Sequence, residues 1–463
     1  MLKQYTVERL LKSLKINPAG FPDALLKKEI SGVSTDSRTI KRNSVFFALR
    51  GERFDGADYV ENALESGVLC SVVNKDSVKT EHRELPVIPV GDTLRALGDT
   101  ARDYRCLFEG KVIALTGTNG KTTSREMMLS VLKSRWRVHG TRDNFNNHIG
   151  LPLSVFGLDD THECAVFELG MNAPGEISYL GGIVQPHIGV ILNIGPGHLE
   201  FFSDINAVAD AKMELLNTLD KNGKAVINGD DELLKPSELH SPCPVVKFGI
   251  NNQADYHAEN VEIHPDGCAS YYIDGHRVML KVPGMHNVYN TLAAYAVGRL
   301  MDVEAKQAVE SLERFTAPSM RMQIVKKNGV SFIDDSYNAN PFSMEGAAEV
   351  LRSIEITEEN RKIAVLGDML ELGRFSEELH VRIGNLFGSM GLEWLCFAGK
   401  YTSLYYHGAC EGGMNPEKIR SFKDAESAAL FINEIKRPGD LILVKGSRAV
   451  GMEKILKLTD GVE

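Results

Sequence analysis

The stretch that decides the architecture is Lys111–Leu132, KVIALTGTNGKTTSREMMLSVL. KVIALTG is a compact apolar run of strand length closed by glycine, and from Thr122 to Ser134 the residues Met127, Met128, Val131 and Leu132 recur at helical spacing. A strand, a tight loop and a helix are expected. The loop, Gly117-Thr118-Asn119-Gly120-Lys121-Thr122-Thr123, has the chemistry of a phosphate cradle. Its glycines let backbone N–H groups approach phosphate oxygens, and the helix N-terminus adds a favourable dipole. Lys121 can neutralise β/γ charge and Thr122 can ligate Mg²⁺. Thr118 and Asn119 alone separate the two glycines, where the common phosphate loop has four residues, so this loop must be tighter.

Further apolar runs of strand length follow at Cys164–Leu169, Ile188–Ile194 and Lys224–Ile227, with helix-like stretches such as Ala207–Leu219 between them. This alternation favours a mostly parallel sheet. Upstream, GVSTDSR, SVFFALRG, a helix over 59–66 and LCSVVN make a small α/β unit. Downstream of Thr316 a third series, VSFIDDS, RKIAVLGD, LEWLCFAG and DLILVKGS, is interleaved with helical patterns at Glu377–Met390 and Asp424–Ile435. That pattern reads as a second doubly wound, Rossmann-like unit. At roughly 150 residues per domain, 463 residues divide into three α/β domains, 1–95, 96–315 and 316–463.

Composition narrows the function class. Hydrophobic residues at 43% and charged residues at 25% are ordinary globular usage. Lys and Arg number 52 against 62 Asp and Glu, a net charge of −10, which argues against a general grip on nucleic acid and leaves a local basic pocket open. Seven scattered cysteines without a CxxC pair indicate neither a disulfide framework nor a zinc site. The N-terminal spacing of Leu2, Val7, Leu10, Leu11 and Leu14 suits an amphipathic helix, not a signal peptide, and no run reaches the roughly 18 apolar residues of a membrane span. The expectation is a cytoplasmic protein.

A bound triphosphate needs a cation, whose ligands belong at the ends of neighbouring strands in a parallel sheet. Glu168 closes CAVFE, and His198 follows ILNIGPG, where Gly195, Pro196 and Gly197 turn the chain off its strand. With the loop they form a candidate metal shell. Lys212, in AVADAKMELL, reads on its own as a solvated lysine on an amphipathic helix. Asn287 and Asn290 likewise read as cap or turn residues, and Asp334-Asp335 as a solvated strand end.

Taken together, GTNGKTT at 117–123, TRDNFNNHIGLP at 141–152, FELGMN at 167–172, NIGPGHLE at 193–200 and DAK at 210–212 resemble the Mur ligases of peptidoglycan synthesis. So do GMHNVYN at 284–290, DDSYNANP at 334–341 and VKGSRAVGME at 444–453. The last two, with GDMLELG at 367–373, resemble the branch that adds D-alanyl-D-alanine to UDP-N-acetylmuramoyl-tripeptide. STDSR at 34–38 and FALRGERFDG at 47–56 resemble that family's N-terminal domain. The resemblance implies an N-terminal α/β unit for the uridine-linked substrate, a central P-loop-like ATPase and a C-terminal Rossmann-like domain.

By resemblance, Gly117 to Thr123 hold the phosphates of ATP, and Asn287, Asn290, Arg321 and Asp335 hold the nucleoside, the ribose or the domain junction. Glu168 and His198 match magnesium-binding positions. Lys212 matches a lysine carbamylated in many members, whose new carboxylate helps hold a second Mg²⁺. Lys121, His198 and Lys212 are thus the expected catalytic residues, with Thr122, Glu168, His198 and Lys212 around two metal ions. Ser37, Arg38 and Asp55 match the uridine-nucleotide region, and Asn338, Asn340, Lys445, Ser447 and Arg448 fall where the dipeptide is presented. Two departures stand out: Met320 where the family commonly has glycine, and Ala57 where histidine is frequent.

The implied reaction follows from charge: a carboxylate and an amine do not condense in water, so ATP first converts the carboxylate to an acyl phosphate. The expected enzyme is a monomer that binds no nucleic acid. Competing readings are a neighbouring amide ligase, such as the ligase that adds the third peptide residue or a folylpolyglutamate synthase, and, from another class, a kinase or nucleotide-gated assembly protein. The DNPR segment usual in the third-residue ligase is missing, and DDSYNANP stands instead.

Overall fold

The structure is a computed structural model that describes residues 5–80, 82, 85–141, 144–197, 199–234 and 241–459. Its first sheet is parallel and ordered β1 (Gly32–Ser34), β2 (Ser44–Phe47), β3 (Cys70–Asn74), β4 (Val87–Val90). β2 and β3 are buried on both faces, as parallel strands require. Val45, Phe47 and Val72 join one core with the helix Thr93–Arg105, while Phe46 and Val73 join another with Val60 and Ala63. Asp92 caps the helix Thr93–Arg105 by accepting from Leu94 N and Arg95 N at 2.8 and 3.1 Å. Tyr104 on it donates to Leu158 O at 2.6 Å and Arg105 to Val184 O at 2.7 Å, which fastens this unit to the next.

The second sheet has seven parallel strands, β5 (Lys111–Thr116), β6 (Val138–Gly140), β7 (Cys164–Glu168), β8 (Ile188–Ile191), β9 (Lys224–Asn228), β10 (Val245–Gly249) and β11 (Tyr256–His257), ordered β11-β10-β9-β8-β5-β7-β6. β5 sits between β7 and β8, so the loop at its end lies beside the ends of both. A separate antiparallel sheet follows, β12 (Glu259–Ile263), β13 (Cys268–Ile273) and β14 (His276–Pro283). The third sheet, β15 (Gln323–Lys327), β16 (Val330–Asp335), β17 (Lys362–Gly367), β18 (Trp394–Ala398), β19 (Ile419–Phe422) and β20 (Leu441–Lys445), is ordered β15-β16-β20-β17-β18-β19. β15 alone in it runs antiparallel.

Against the expectations, β8 stops at Ile191, and the helix expected over 207–219 divides into Ile205–Met213 and a short turn at Leu216–Thr218. β12–β14 and β15 were not expected. Both carry a readable hairpin signal: Asp274-Gly275 has φ of 48° and 75°, and Asn328-Gly329 has 48° and 79°, the paired positive angles of a two-residue turn. Among the described residues no helix is long and apolar enough to cross a membrane.

Candidate active site

A cavity of about 860 Å³ opens between the ends of β5, β7 and β8 on one side and of β16 and β20 on the other, with Lys121, Glu168, Lys212, Asp335 and Lys445 in its wall. Ligands of open α/β sheets bind in such crevices at strand carboxyl ends.

The phosphate loop forms one rim. The expected helix begins at Lys121, directly after Gly120, whose φ of +79° is one that L side chains rarely adopt. A Cβ there would also lie 2.4 Å from Asn290 Oδ1. Beneath the loop runs a polar chain: Ser124 Oγ donates to Asn290 Oδ1 at 3.0 Å, Asn290 Nδ2 to Asn287 Oδ1 at 2.9 Å, and Asn287 Nδ2 to Pro283 O at 2.7 Å. Asn287 and Asn290 are buried and reach the cavity wall, so besides lining it they brace the loop. Thr118 Oγ1 accepts from Gly195 N at 2.9 Å, and Asn119 N donates to Asn193 Oδ1 at 2.9 Å, clamping the loop tip to the exit of β8.

Lys121 Nζ turns back to donate to Gly117 O and Thr118 O at 2.8 and 3.1 Å. Desolvation holds its ammonium below the usual lysine range, with Glu168 opposing the shift and Arg321 adding to it. A phosphate on the loop N–H groups would offer this ammonium a stronger acceptor than two carbonyls.

Glu168 is buried at the end of β7, as expected. Thr122 Oγ1 donates to its Oε2 at 3.1 Å, Arg125 Nη1 to the same oxygen at 3.2 Å, and Asn146 Nδ2 to Oε1 at 2.8 Å. Hydroxyl and carboxylate oxygens side by side are the donors a hard divalent cation takes, so Thr122 and Glu168 fit Mg²⁺. His198 lies outside the described residues, and among those described no cluster of three His, Cys, Asp or Glu side chains is arranged for a metal. Arg125 and Asn146 escaped sequence reasoning. Arg125 could have been found from its spacing, one helical turn after Thr122 on the same face.

Lys212 departs from the plain reading of its helix. It is 2% exposed, with Nζ donating to Gly117 O at 3.2 Å, and no carboxylate among the described residues pairs with it. Desolvation, reinforced by the Lys121 charge, pushes it well below the ordinary lysine value. A solvated lysine is excluded.

On the opposite wall, Arg321 stacks on Tyr337 with its guanidinium carbon 3.9 Å from the ring centre. Its neighbours Met320 and Met322 have φ of +61° and +54°, both in the left-handed region. The glycine usual in the family would sit at 320 without that strain. Met322 N donates to Asp335 Oδ1 at 3.2 Å, and the other oxygen of Asp335 pairs with Lys445 Nζ, which also donates to Asn338 O at 3.0 Å. Asn338 and Asn340 line the cavity. Ser447 is buried behind it, accepting from Leu370 N at 2.9 Å, and Arg448 is exposed near Glu453 at 3.5 Å. Neither lines the cavity.

Three family models match the chain in succession: "Mur ligase family, catalytic domain" over residues 29–105, "Mur ligase middle domain" over 115–298 and "Mur ligase, glutamate ligase domain" over 320–448. The chain belongs to the Mur ligase family. This Mur ligase is 36% identical over 431 residues to the UDP-N-acetylmuramoyl-tripeptide–D-alanyl-D-alanine ligase of Bacillus subtilis strain 168, covering 92% of this chain and 93% of that enzyme. It superposes on a crystal structure of MurF from Acinetobacter baumannii with a TM-score of 0.88 at 32% identity, over 99% of each chain. On the Thermotoga maritima MurF ligase in complex with ADP the TM-score is 0.81 at 27% identity, over 93% of this chain and 97% of that one. The three-domain arrangement of mixed α/β units is the one these structures share.

The remaining expected contacts of this Mur ligase lie in its first sheet unit and do not line the cavity. Ser37 and Arg38 stand in a short turn, with Arg38 forked onto Asp36 at 2.9 and 2.7 Å. Asp55 accepts from Ala57 N at 3.0 Å, Arg50 Nε at 3.0 Å and Ser77 Oγ at 2.6 Å, which shapes the turn that includes Ala57.

Proposed function

We propose that this Mur ligase joins D-alanyl-D-alanine to UDP-N-acetylmuramoyl-tripeptide with ATP, through an acyl phosphate, in peptidoglycan precursor synthesis. The observation that carries the reading is the cavity itself: a phosphate loop with the half-buried Lys121 and the buried Lys212 beside it faces the strand ends of a second Rossmann-like sheet across one cleft. Whole-length similarity to ligases of that name supports the substrates.

A carboxylate oxygen of the tripeptide attacks the γ-phosphorus of ATP and ADP leaves. The dipeptide amine then attacks the acyl carbon, inorganic phosphate leaves, and the amine loses a proton. Gly117 to Thr123 hold the phosphates, and Lys121 leaves its loop carbonyls to spread charge on the transferring group. Bound Mg²⁺, two ions in this reading, would neutralise phosphate charge, with Thr122 and Glu168 as the residues that would hold it and His198 as the further expected ligand. Burial lowers the pKa of Lys212 and so favours addition of its Nζ to CO₂, with one proton released from the nitrogen, and the carbamate would place an oxyanion beside the loop. Arg321, braced by Tyr337, and Asp335 serve the nucleotide at the domain junction. Asn338 and the Lys445 clasp form the wall that meets the dipeptide, with Ser447 and Arg448 supporting it from behind. Ser37, Arg38 and Asp55 belong to the uridine-nucleotide end. The chain divides near residues 95 and 315, and acts as a cytoplasmic monomer.

The test is incubation with Mg·ATP, UDP-linked tripeptides differing in their third residue, and a panel of amino acids and dipeptides, with products identified by mass. Phosphate release and a product one D-alanyl-D-alanine heavier, each requiring both acceptor and dipeptide, are expected. If single D-amino acids or glutamate serve as well, the assignment fails.

A further inference from the structure

Asn119 and Asn340 lie 221 residues apart in sequence, yet their side-chain amides meet at 2.8 Å across the domain boundary. The main chain of Asn119 is already committed: its N–H donates to Asn193 Oδ1 at 2.9 Å and its carbonyl accepts from Asn193 Nδ2 at 3.1 Å. Its side chain is therefore free to face the third domain. Asn340 is the N-cap of the helix Pro341–Ser353, accepting from Ser343 N at 2.8 Å while its own N–H donates to Ser343 Oγ at 3.0 Å. The cap fixes where the amide points. Phe342, two residues on, covers Gly195 so closely that a Cβ there would lie 2.7 Å from its ring. The segment from Asn338 to Ser343 thus rests on both the phosphate loop and the loop after β8.

From this contact we propose that Asn340 is a positioning residue for the nucleotide: through Asn119 it registers the third domain against the phosphate loop. Its amide oxygen holds the cap and its amide nitrogen donates to the phosphate loop, which ties the residue to the nucleotide side of the cavity. The inference rests on the ligase reading above for its activity assay.

The test separates the cap from the bridge. Serine caps helices about as well as asparagine, so Asn340→Ser keeps the melting temperature and loses the inter-domain amide contact. Loss of one such hydrogen bond is expected to raise KM for ATP about tenfold with KM for D-alanyl-D-alanine unchanged. Asn340→Asp, also a good cap, sets a carboxylate beside bound phosphates and raises KM for ATP further. Asn119→Ser matches the serine variant at 340, and the double variant is no worse than either single, because each removes the same contact. If Asn340→Ser melts early, Asn119→Ser carries the test. A rise in the dipeptide KM alone, additive effects in the double variant, or unchanged constants for both substrates would overturn the proposal. Calorimetric titration with ADP keeps the two readings apart. An unsubstituted protein that makes no product sinks the ligase assignment, whereas weaker ADP binding by Asn340→Ser still supports the bridge and unchanged binding rejects it.

Discussion

Two lysines, each 2% exposed, end up in opposite walls of the same cavity, and their surroundings differ in one respect. Lys445 closes β20 directly opposite Asp335 of β16, and the two side chains form an ion pair. Lys212 closes a helix capped by Asp204, reaches a single loop carbonyl, and has the Lys121 ammonium as its charged neighbour. Burial without a counter-charge lowers the pKa of an amine, and burial with one makes an ion-paired clasp. Lys212 is therefore the one left without a neutralising partner among the described residues, and Lys445 holds two strand ends together.

The largest effect that follows concerns the loop wall. Lys121→Ala should lower turnover on the order of 10³-fold or more with the fold intact, because a preorganised charge at the γ-phosphate is lost. Steady-state phosphate release together with a melting curve checks this, and near-parental turnover would remove the loop from the chemistry.

Lys212→Met sharpens the contrast by moving activity and stability in opposite directions. On the proposed ligase reading, activity should fall by about 10²-fold or more, since the proposed carbamate oxyanion can no longer form. Lys212→Arg should fail equally, because guanidinium keeps its charge. Stripping CO₂ and bicarbonate should depress the activity of the unsubstituted enzyme, and a small carboxylate should partly restore Lys212→Ala. Stability at neutral pH in CO₂-free buffer should rise in Lys212→Met. The folded-state pKa of this lysine lies below its unfolded value, so folding releases a proton there and its cost is greatest at low pH. The gain should shrink as pH climbs towards the ordinary lysine value, which melting curves over pH can follow.

The clasp should behave in the reverse sense. Lys445→Met leaves Asp335 without its partner and should destabilise by roughly 3 kcal/mol. Adding Asp335→Leu should recover part of that loss, read by denaturant unfolding as a double-mutant cycle. The smallest effect is at the backbone beside the clasp. Met320→Gly relieves a left-handed residue and should stabilise by about 1 kcal/mol, less whatever the Met320 sulfur contributes through its 3.4 Å contact with Arg448.

Legibility followed how local each feature is. The phosphate loop, its flanking strand and helix, and Glu168 at a strand end were all readable, because each depends on a few contiguous residues whose spacing carries the geometry. Lys121 and Thr122 received their roles from that spacing alone. The β12–β14 sheet was also locally marked by Asp274-Gly275, and a search for paired turn residues finds it. Arg125 was missed although its spacing, one turn after Thr122 on the same helix face, was readable; the partner it meets, Glu168, is 43 residues further on.

What the sequence by itself determined is the succession of three α/β units, the strand, tight glycine loop and helix at residues 111–132, and the family, through motifs spread along the chain. The tertiary structure alone decided which polar side chains lose their water. Lys212 looks solvated on its own helix and becomes a buried amine because the phosphate loop closes over it. Asn340 was expected, by resemblance, only where the dipeptide is presented, and it also becomes a contact between domains because the third sheet unit packs against the second. Desolvation and cross-domain contact depend on atoms distant in sequence, and no pattern within a helix or a turn encodes them.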